Sequence, residues 1–339
     1  MSDEAPIHTA QALGIPRAAA TVAGAQELQQ VTASGSQVAA GPAGAPALEA
    51  ALELSQRLRR HRRWFVLTGA GCSTESGIPA YRDETGAWRH KPPIQLQEFV
   101  GSESVRRRYW ARSFAGFPRV ERALPNAAHH ALAQLEREER VRLLVTQNVD
   151  RLHQKAGSRS VIDLHGQLAW VACLRCRAQI ERERMQEWLA SHNPNISDLS
   201  GGRSDERGVG TPERALAPDG DAQLEADASD LRVPPCPSCG GVLKPDVVFF
   251  GETVPPQKVR ESYAALEEAD AVLVVGSSLA VFSGYRFVRR AAQLNKPIVV
   301  VNSGTTRADG LAQLKLGGSC GAVLSAAVRL LAPEQAHRW

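Results

Sequence analysis

No apolar run in the 339-residue sequence approaches the roughly 20 residues that a membrane-spanning helix requires. Charge asymmetry is also missing. Forty basic and 36 acidic residues leave a formal charge of +4, too little to indicate a nucleic-acid partner without a concentrated patch. The one short basic run, Arg59 to Arg63, is broken by His61 and follows a helix-like stretch from Leu48 to Leu58, where cations favourably meet a helix C-terminus. The start, Met1-Ser2-Asp3-Glu4, has neither a basic segment ahead of an apolar core nor an Arg-rich leader, so a cytoplasmic location is expected, with no membrane or direct nucleic-acid partner. Six cysteines are few for a disulfide framework in so long a chain, and four of them form two C-x-x-C pairs, a pattern that suits a metal site in a reducing compartment.

What is present is an ordinary globular composition, 43% hydrophobic and 22% charged. Residues 1–46 are the exception. They are rich in Ala, Gly, Gln, Ser and Thr without a sustained period, and are expected to form a disordered tail. From Ala47 the pattern is helical through Leu52 and Leu58, and Trp64 to Thr68 reads as a buried strand running into Gly69-Ala70-Gly71. Strand-length apolar runs recur at Val141 to Thr146, Val161 to Leu164, Ala271 to Val275 and Ile298 to Val301. Helical stretches, Ala127 to Glu139, Lys258 to Glu268 and Gly284 to Leu294, alternate with them. This alternation predicts an α/β fold with a Rossmann-like, doubly wound parallel sheet. The expected folded domain, 47–339, divides into a Rossmann-like part over 47–166 and 242–331 and a small cysteine-bearing module over about 167–241. Within that module, 200–230 is polar and Gly-rich and reads as a mobile insertion.

Five segments carry chemistry. Gly69-Ala70-Gly71-Cys72-Ser73 after a strand lets backbone N–H groups approach a phosphate, although a tight strand-to-helix turn would use the same glycines. Thr74 occupies the third glycine position of the dinucleotide fingerprint, and the following loop, Ile78 to Trp88, is no second strand ending in an acid, so a hydride-transfer dehydrogenase is disfavoured. Thr146-Gln147-Asn148-Val149-Asp150 and Asp163-Leu164-His165-Gly166 each place polar groups at a strand end, where open parallel sheets hold ligands. Asp150 could instead cap the following helix, and His165 could be a general base or merely a satisfied polar residue. Cys173-x-x-Cys176 and Cys236-x-x-Cys239 supply four thiolates in knuckle-like turns, a closed structural zinc site, with 59 residues between the pairs. Leu243 to Glu252 is extended and aromatic, either a core strand or an edge for an incoming peptide. Gly276-Ser277-Ser278 and Asn302-Ser303-Gly304 add small polar groups at two further strand ends.

Taken in order, Gly69 to Ser73 with Ile78-Pro79-Ala80-Tyr81-Arg82, Thr146 to Asp150, Leu164-His165-Gly166, the cysteine pairs and Val248 to Glu252 resemble the sirtuin family over about Ala47 to Leu331. Arg108-Tyr109-Trp110-Ala111-Arg112 and Gly284-Tyr285-Arg286-Phe287 further resemble its class II, lipoamidase-type branch. The resemblance implies an NAD-consuming protein lysine deacylase acting on acylated proteins or peptides, with NAD as co-substrate and one structural zinc. It implies that His165 is the general base, Asn148 positions the ribose and attacking groups, and Asp150 contacts the nicotinamide amide. Ser73 and Arg82 would hold ribose and phosphate, with Gly69, Ala70, Gly71, Pro79 and Gln147 around them. Gly276 to Ser278, Asn302 to Gly304 and Cys320 would line the adenosine half. Val248, Phe250 and Gly251 would meet the acyl-lysine. A Tyr-x-x-Arg pair reads acidic acyl groups in a related class, so Tyr109 and Arg112 are expected to accept charged acyl chains. Ala80 stands where many members carry Asp. Protein mono-ADP-ribosylation in the same pocket, and a non-catalytic NAD-sensing module, are the alternatives.

Overall fold

The computed structural model describes residues 45–83, 85–89, 93–196, 217–222 and 228–331. The expected disordered tail lies outside these residues except for its last two positions, which open helix α1, Ala45–Arg60. Ala51, Leu54 and Leu58 recur on one face of α1 and are wholly buried against the sheet. The main sheet contains β1 (Trp64–Thr68), β2 (Val141–Thr146), β3 (Val161–Asp163), β7 (Ala271–Val275), β8 (Ile298–Val301) and β9 (Leu314–Leu316). Their order is β3-β2-β1-β7-β8-β9, and every pairing is parallel. All five residues of β1 and of β7 are buried, which is why both read as unbroken apolar runs rather than alternating ones. The chain travels outward from β1 to β3 and then returns to place β7 on the other side of β1. The strand order therefore reverses between β1 and β7, where such sheets open a ligand crevice.

Helices α4 (Ala127–Arg137) and α9 (Cys320–Leu331) pack with α1 on one face of the sheet; α7 (Pro256–Glu268) and α8 (Phe282–Gln293) cover the other. Asn126 starts α4 as a side-chain cap, its Oδ1 accepting from the Ala128 amide at 2.9 Å. A second, antiparallel sheet has the order β5-β4-β6, from β4 (Gly166–Cys173), β5 (Gln179–Glu181) and β6 (Leu243–Val247). It shares a core with α2 (Leu96–Gly101), α3 (Glu103–Arg122) and α6 (Arg182–His192). The short α5, Leu152–Lys155, follows the Asp150 strand end.

Three differences from the sequence reading have physical causes. The 20-residue α3 carries Pro118 and an Arg-rich face, which obscure its period; yet Tyr109, Trp110, Phe117 and Val120 are buried along it. β9 is only three residues long, too short to signal itself. The insertion is packed against α3 where it is described. Asp221, Ala222 and Ala228 are buried, and the Ala222 amide donates to the Arg112 carbonyl at 3.2 Å. A Cβ on Gly116 of α3 would lie 2.0 Å from the Gly220 carbonyl, so this glycine admits the docked segment. The rest of 200–230 falls outside the described residues. Among the described residues no helix is long and apolar enough to cross a membrane.

Candidate functional site

The ends of β1 and β7 touch through backbone alone. The Gly71 amide donates to the Gly276 carbonyl at 2.8 Å, and the Gly69 amide to that of Val275 at 3.1 Å. Gly276 has φ +59°, and a Cβ there would sit 2.1 Å from the Cys72 nitrogen. The glycines are required by this contact and by a positive φ, not only by a ligand. A cavity of about 690 Å³ opens from this crossing, within the range of small-molecule sites. Its walls take in Gly69 to Gly71, Ser73, Arg82, Gln147, Asn148, Asp150, His165, Gly276 to Ser278, Asn302 to Gly304 and Cys320. Val248, Phe250, Gly251 and Tyr109 line the same cavity. Pro79 and Arg112 do not belong to the wall; Ile78 and Ala80 stand at the loop position instead.

At the crossing, polar side chains bond to one another. Asn148 Nδ2 donates to Ser73 Oγ at 3.0 Å and to the Gly69 carbonyl at 3.1 Å. Ser73 Oγ donates to Asp150 Oδ2 at 2.7 Å, and Asp150 Oδ1 accepts the amide of Leu152, the first residue of α5, at 2.9 Å, so the aspartate holds the start of that helix and lines the cavity at once. Burial raises the Asp150 carboxyl, opposed by the Leu152 and Ser73 hydrogen bonds. Gln147 Nε2 donates to Ser277 Oγ at 2.9 Å, linking β2 to the β7 end.

His165 is fixed at both ring nitrogens. Nδ1 lies 3.0 Å from the Gln147 carbonyl, which can only accept, so Nδ1 carries the proton. Nε2 is therefore the lone-pair nitrogen, and the Ser283 hydroxyl donates to it at 2.7 Å. Burial lowers the imidazole pKa to about 4, partly offset by the Gln147 bond, so the ring is neutral at pH 7. Gly166 explains the His-Gly pair: its φ is +80°, and a Cβ would meet the Asp246 carbonyl at 2.0 Å. A neutral imidazole on a cavity wall, its Nε2 accepting from a hydroxyl, is suited to take a proton from one.

The far end of the cavity is aromatic. Tyr81, Trp88 and Phe250 meet edge to face at 6.0–6.5 Å, and Phe99, Tyr109 and Phe249 form a second cluster at 5.2–5.4 Å. Arg82 stacks 4.0 Å from the Trp88 ring centre and donates to the Gly86 carbonyl at 2.8 Å, closing the loop on itself. Arg112 is paired with Asp221 at 3.0 Å, so its guanidinium is engaged by the insertion rather than offered to a ligand. Pro218, Asp219 and Asp221 contribute to the wall. Burial pushes the Asp221 carboxyl well up, Asp219 adds to this and Arg112 opposes it. Asp219, Asp221 and Ser283 escaped the sequence reading. Two lie in a segment without strand or helix signal, and Ser283 opens α8 ahead of the Gly-Tyr-Arg-Phe segment. Only its place at a helix start after Gly276-Ser277-Ser278 could have marked it.

The four cysteines of the two pairs also converge. Their sulfurs lie within 4.8 Å of one another, with Cys173 to Cys239 at 3.5 Å and Cys176 to Cys236 at 3.7 Å. Sulfurs tetrahedrally arranged about zinc are spaced about 3.7 Å apart, given Zn–S bonds of about 2.3 Å. A Cβ on Gly241 would fall 2.9 Å from the Cys173 sulfur, so this glycine clears the space between the knuckles. The donor set and spacing fit a structural zinc ion.

The model of the Sir2 family matches residues 69–283, from the glycine turn to the serine on His165. The chain belongs to the Sir2 family. An NAD-dependent protein deacetylase of Xanthomonas campestris pv. campestris is 54% identical over 273 residues, 80% of this chain and 89% of that protein. One from Bordetella bronchiseptica is 55% identical over 267 residues, 78% and 93% of the two. The NAD-dependent protein deacylase Sirt4 of Drosophila melanogaster is 49% identical over 265 residues, 77% and 80%. Among solved structures, a Sir2 complex with a p53 peptide and NAD+ aligns at TM-score 0.63 and 28% identity, covering 82% of this chain and 96% of that one. In this Sir2-family member, then, the glycine crossing and the imidazole stand within the matched segment, residues 69–283.

Proposed function

We propose that this Sir2-family chain is an NAD-dependent protein lysine deacylase that passes the acyl group of a modified lysine to ADP-ribose with release of nicotinamide. The observation that carries the reading is His165, neutral, held by Gln147 at Nδ1 and by Ser283 at Nε2, on the wall of a cavity shared with Asn148, Ser73 and Asp150. NAD supplies the activated ribose and the acceptor hydroxyls. His165 Nε2 takes the proton of the ribose hydroxyl that receives the acyl group. Asn148 and Ser73, already bonded to each other, orient the ribose, and the buried Asp150 meets the carboxamide. The aromatic walls exclude water from the acyl stem, with Val248 and Phe250 against it and Gly251 at the turn beyond. Arg82 serves phosphate indirectly, by latching the loop through Trp88 and Gly86. Residues 47–166 and 242–331 form the nucleotide half and 167–241 the zinc module, in which Cys173, Cys176, Cys236 and Cys239 hold an ion that takes no part in the reaction.

We read the chain as a member of the class II branch, on its 49% identity with the Drosophila deacylase. Its acyl chains are neutral ones: Arg112 is occupied by Asp221, and a carboxylate-bearing acyl group would meet Asp219 and Asp221 on the wall. One lysine peptide bearing acetyl, lipoyl, succinyl or methylglutaryl groups, incubated with NAD and followed by mass, tests both points. Free acyl-ADP-ribose from the neutral substrates is expected. ADP-ribose left on protein, with no acyl-ADP-ribose in solution, would replace this reading by ADP-ribosyl transfer.

A further inference from the structure

Behind the glycine turn, three side chains converge that deacylation leaves unused. Cys72 ends that turn, His129 lies in the first turn of α4 and His153 lies in α5. Their sulfur and ring-nitrogen atoms lie within 4.8 Å of one another. All three residues are buried, at 1%, 0% and 1% exposure. His153 Nε2 sits 2.9 Å from Thr68 Oγ1, whose own proton goes to Thr146 Oγ1 at 2.8 Å. Nε2 therefore carries the hydrogen, and Nδ1 is a bare lone pair. Neither His153 Nδ1 nor His129 Nε2 has a hydrogen-bond partner. Buried polar atoms are rarely left unpaired, because an unmade bond there costs the full desolvation of the group.

We infer that Cys72, His129 and His153 form a second metal site, for a divalent ion of the zinc class, separate from the four-cysteine knuckles. One thiolate and two imidazoles are a donor set such ions favour. The His153 Nε2–H donated to Thr68 is the outer hydrogen bond that a coordinating imidazole ordinarily keeps. Loading requires two changes. The Cys72 proton leaves as the ion binds, and the His129 ring proton moves from Nε2 to Nδ1, giving up the 3.2 Å contact with the Asn126 amide. The cap itself persists through Asn126 Oδ1 and the Ala128 amide at 2.9 Å. One long hydrogen bond is small beside coordination by a thiolate and two imidazoles. The ion would also pin the turn, because the Cys72 amide donates to the Gly69 carbonyl at 2.9 Å and its carbonyl accepts Asn126 Nδ2 at 2.8 Å.

Metal content of the untagged full chain, after equilibration with Zn2+ or Co2+ and removal of free ion, tests the site. Two ions per chain are expected, falling to one in Cys72→Ser and in His153→Gln. In the cobalt protein, the second equivalent should show thiolate charge transfer from one sulfur against four for the first. This spectrum is read on the unaltered chain and stands even if a variant fails to fold. One ion per chain throughout, or a second ion retained by both folded variants, would overturn the proposal and leave a water molecule as the occupant, accepting from His129 Nε2–H and donating to His153 Nδ1.

Discussion

The two ends of the cavity are built by different means. The proposed nucleotide end is made of backbone: glycines at two strand ends lie in contact, and no side chain could replace them. The proposed acyl end is made of side chains from distant segments: Tyr81 and Trp88 from the loop, Tyr109 from α3, Phe249 and Phe250 after β6, and Asp219 and Asp221 from the insertion. An arrangement made from backbone contact tolerates no substitution, whereas one made from side chains can be retuned residue by residue. The two ends also rest on different cores. The cysteines Cys173 and Cys236 share a cluster with Tyr109 and Phe249, while the β1–β7 crossing is seated between the other two clusters.

The largest effect is expected at the crossing. Gly276→Ala puts a Cβ 2.1 Å from the Cys72 nitrogen at a positive φ, so ADP-ribose binding measured by calorimetry should be lost, with the fold destabilised by roughly 3 kcal/mol or more. Retained binding would mean that the two strand ends can separate. Next, stripping the zinc from the knuckles should abolish deacylation by loosening the core beneath Tyr109 and Phe249, while ADP-ribose still binds. Equal loss at both ends would erase the distinction between them.

A smaller effect belongs to the imidazole that stands between the two ends. Ser283→Ala removes the donor to His165 Nε2 and should lower kcat by roughly tenfold with little change in KM. The pH profile has a definite sign. The active form of His165 is neutral and its pKa is lowered to about 4, so kcat/KM should stay flat from neutrality downward and fall only as pH drops through about 4. In the unfolded chain the imidazole returns toward 6.5 and takes up a proton first, so its contribution to stability declines between pH 6.5 and about 4. A profile breaking near 6.5 would show that His165 is less buried than described. The smallest change is expected from Asp221→Asn, which frees Arg112 and should raise the ratio of succinyl to acetyl turnover by several-fold.

The contrast also explains what could be read from sequence. Strands Trp64 to Thr68 and Ala271 to Val275 are apolar runs buried on both faces, Val141 to Thr146 is buried over its last three residues, and the ends of all three carry the glycines and polar residues of the site. Local signals of that kind survive in a linear text. The acyl end has no such signal. Tyr109 and Arg112 sit only three residues apart, yet one faces the cavity and the other is drawn off by Asp221, more than a hundred residues away. Nothing in the spacing of either residue announces that pairing, and the polar insertion that supplies the carboxylate resembles a solvated loop. On either side of Pro79, the loop turns Ile78 and Ala80 to the cavity.

The most direct test of deacylation through His165 is the formation of O-acyl-ADP-ribose from an acetyl-lysine peptide and NAD by the His165→Asn variant, followed by mass. A fall of about 100-fold or more, in a protein that still binds ADP-ribose, is predicted. Product formation at the unaltered rate would contradict the account.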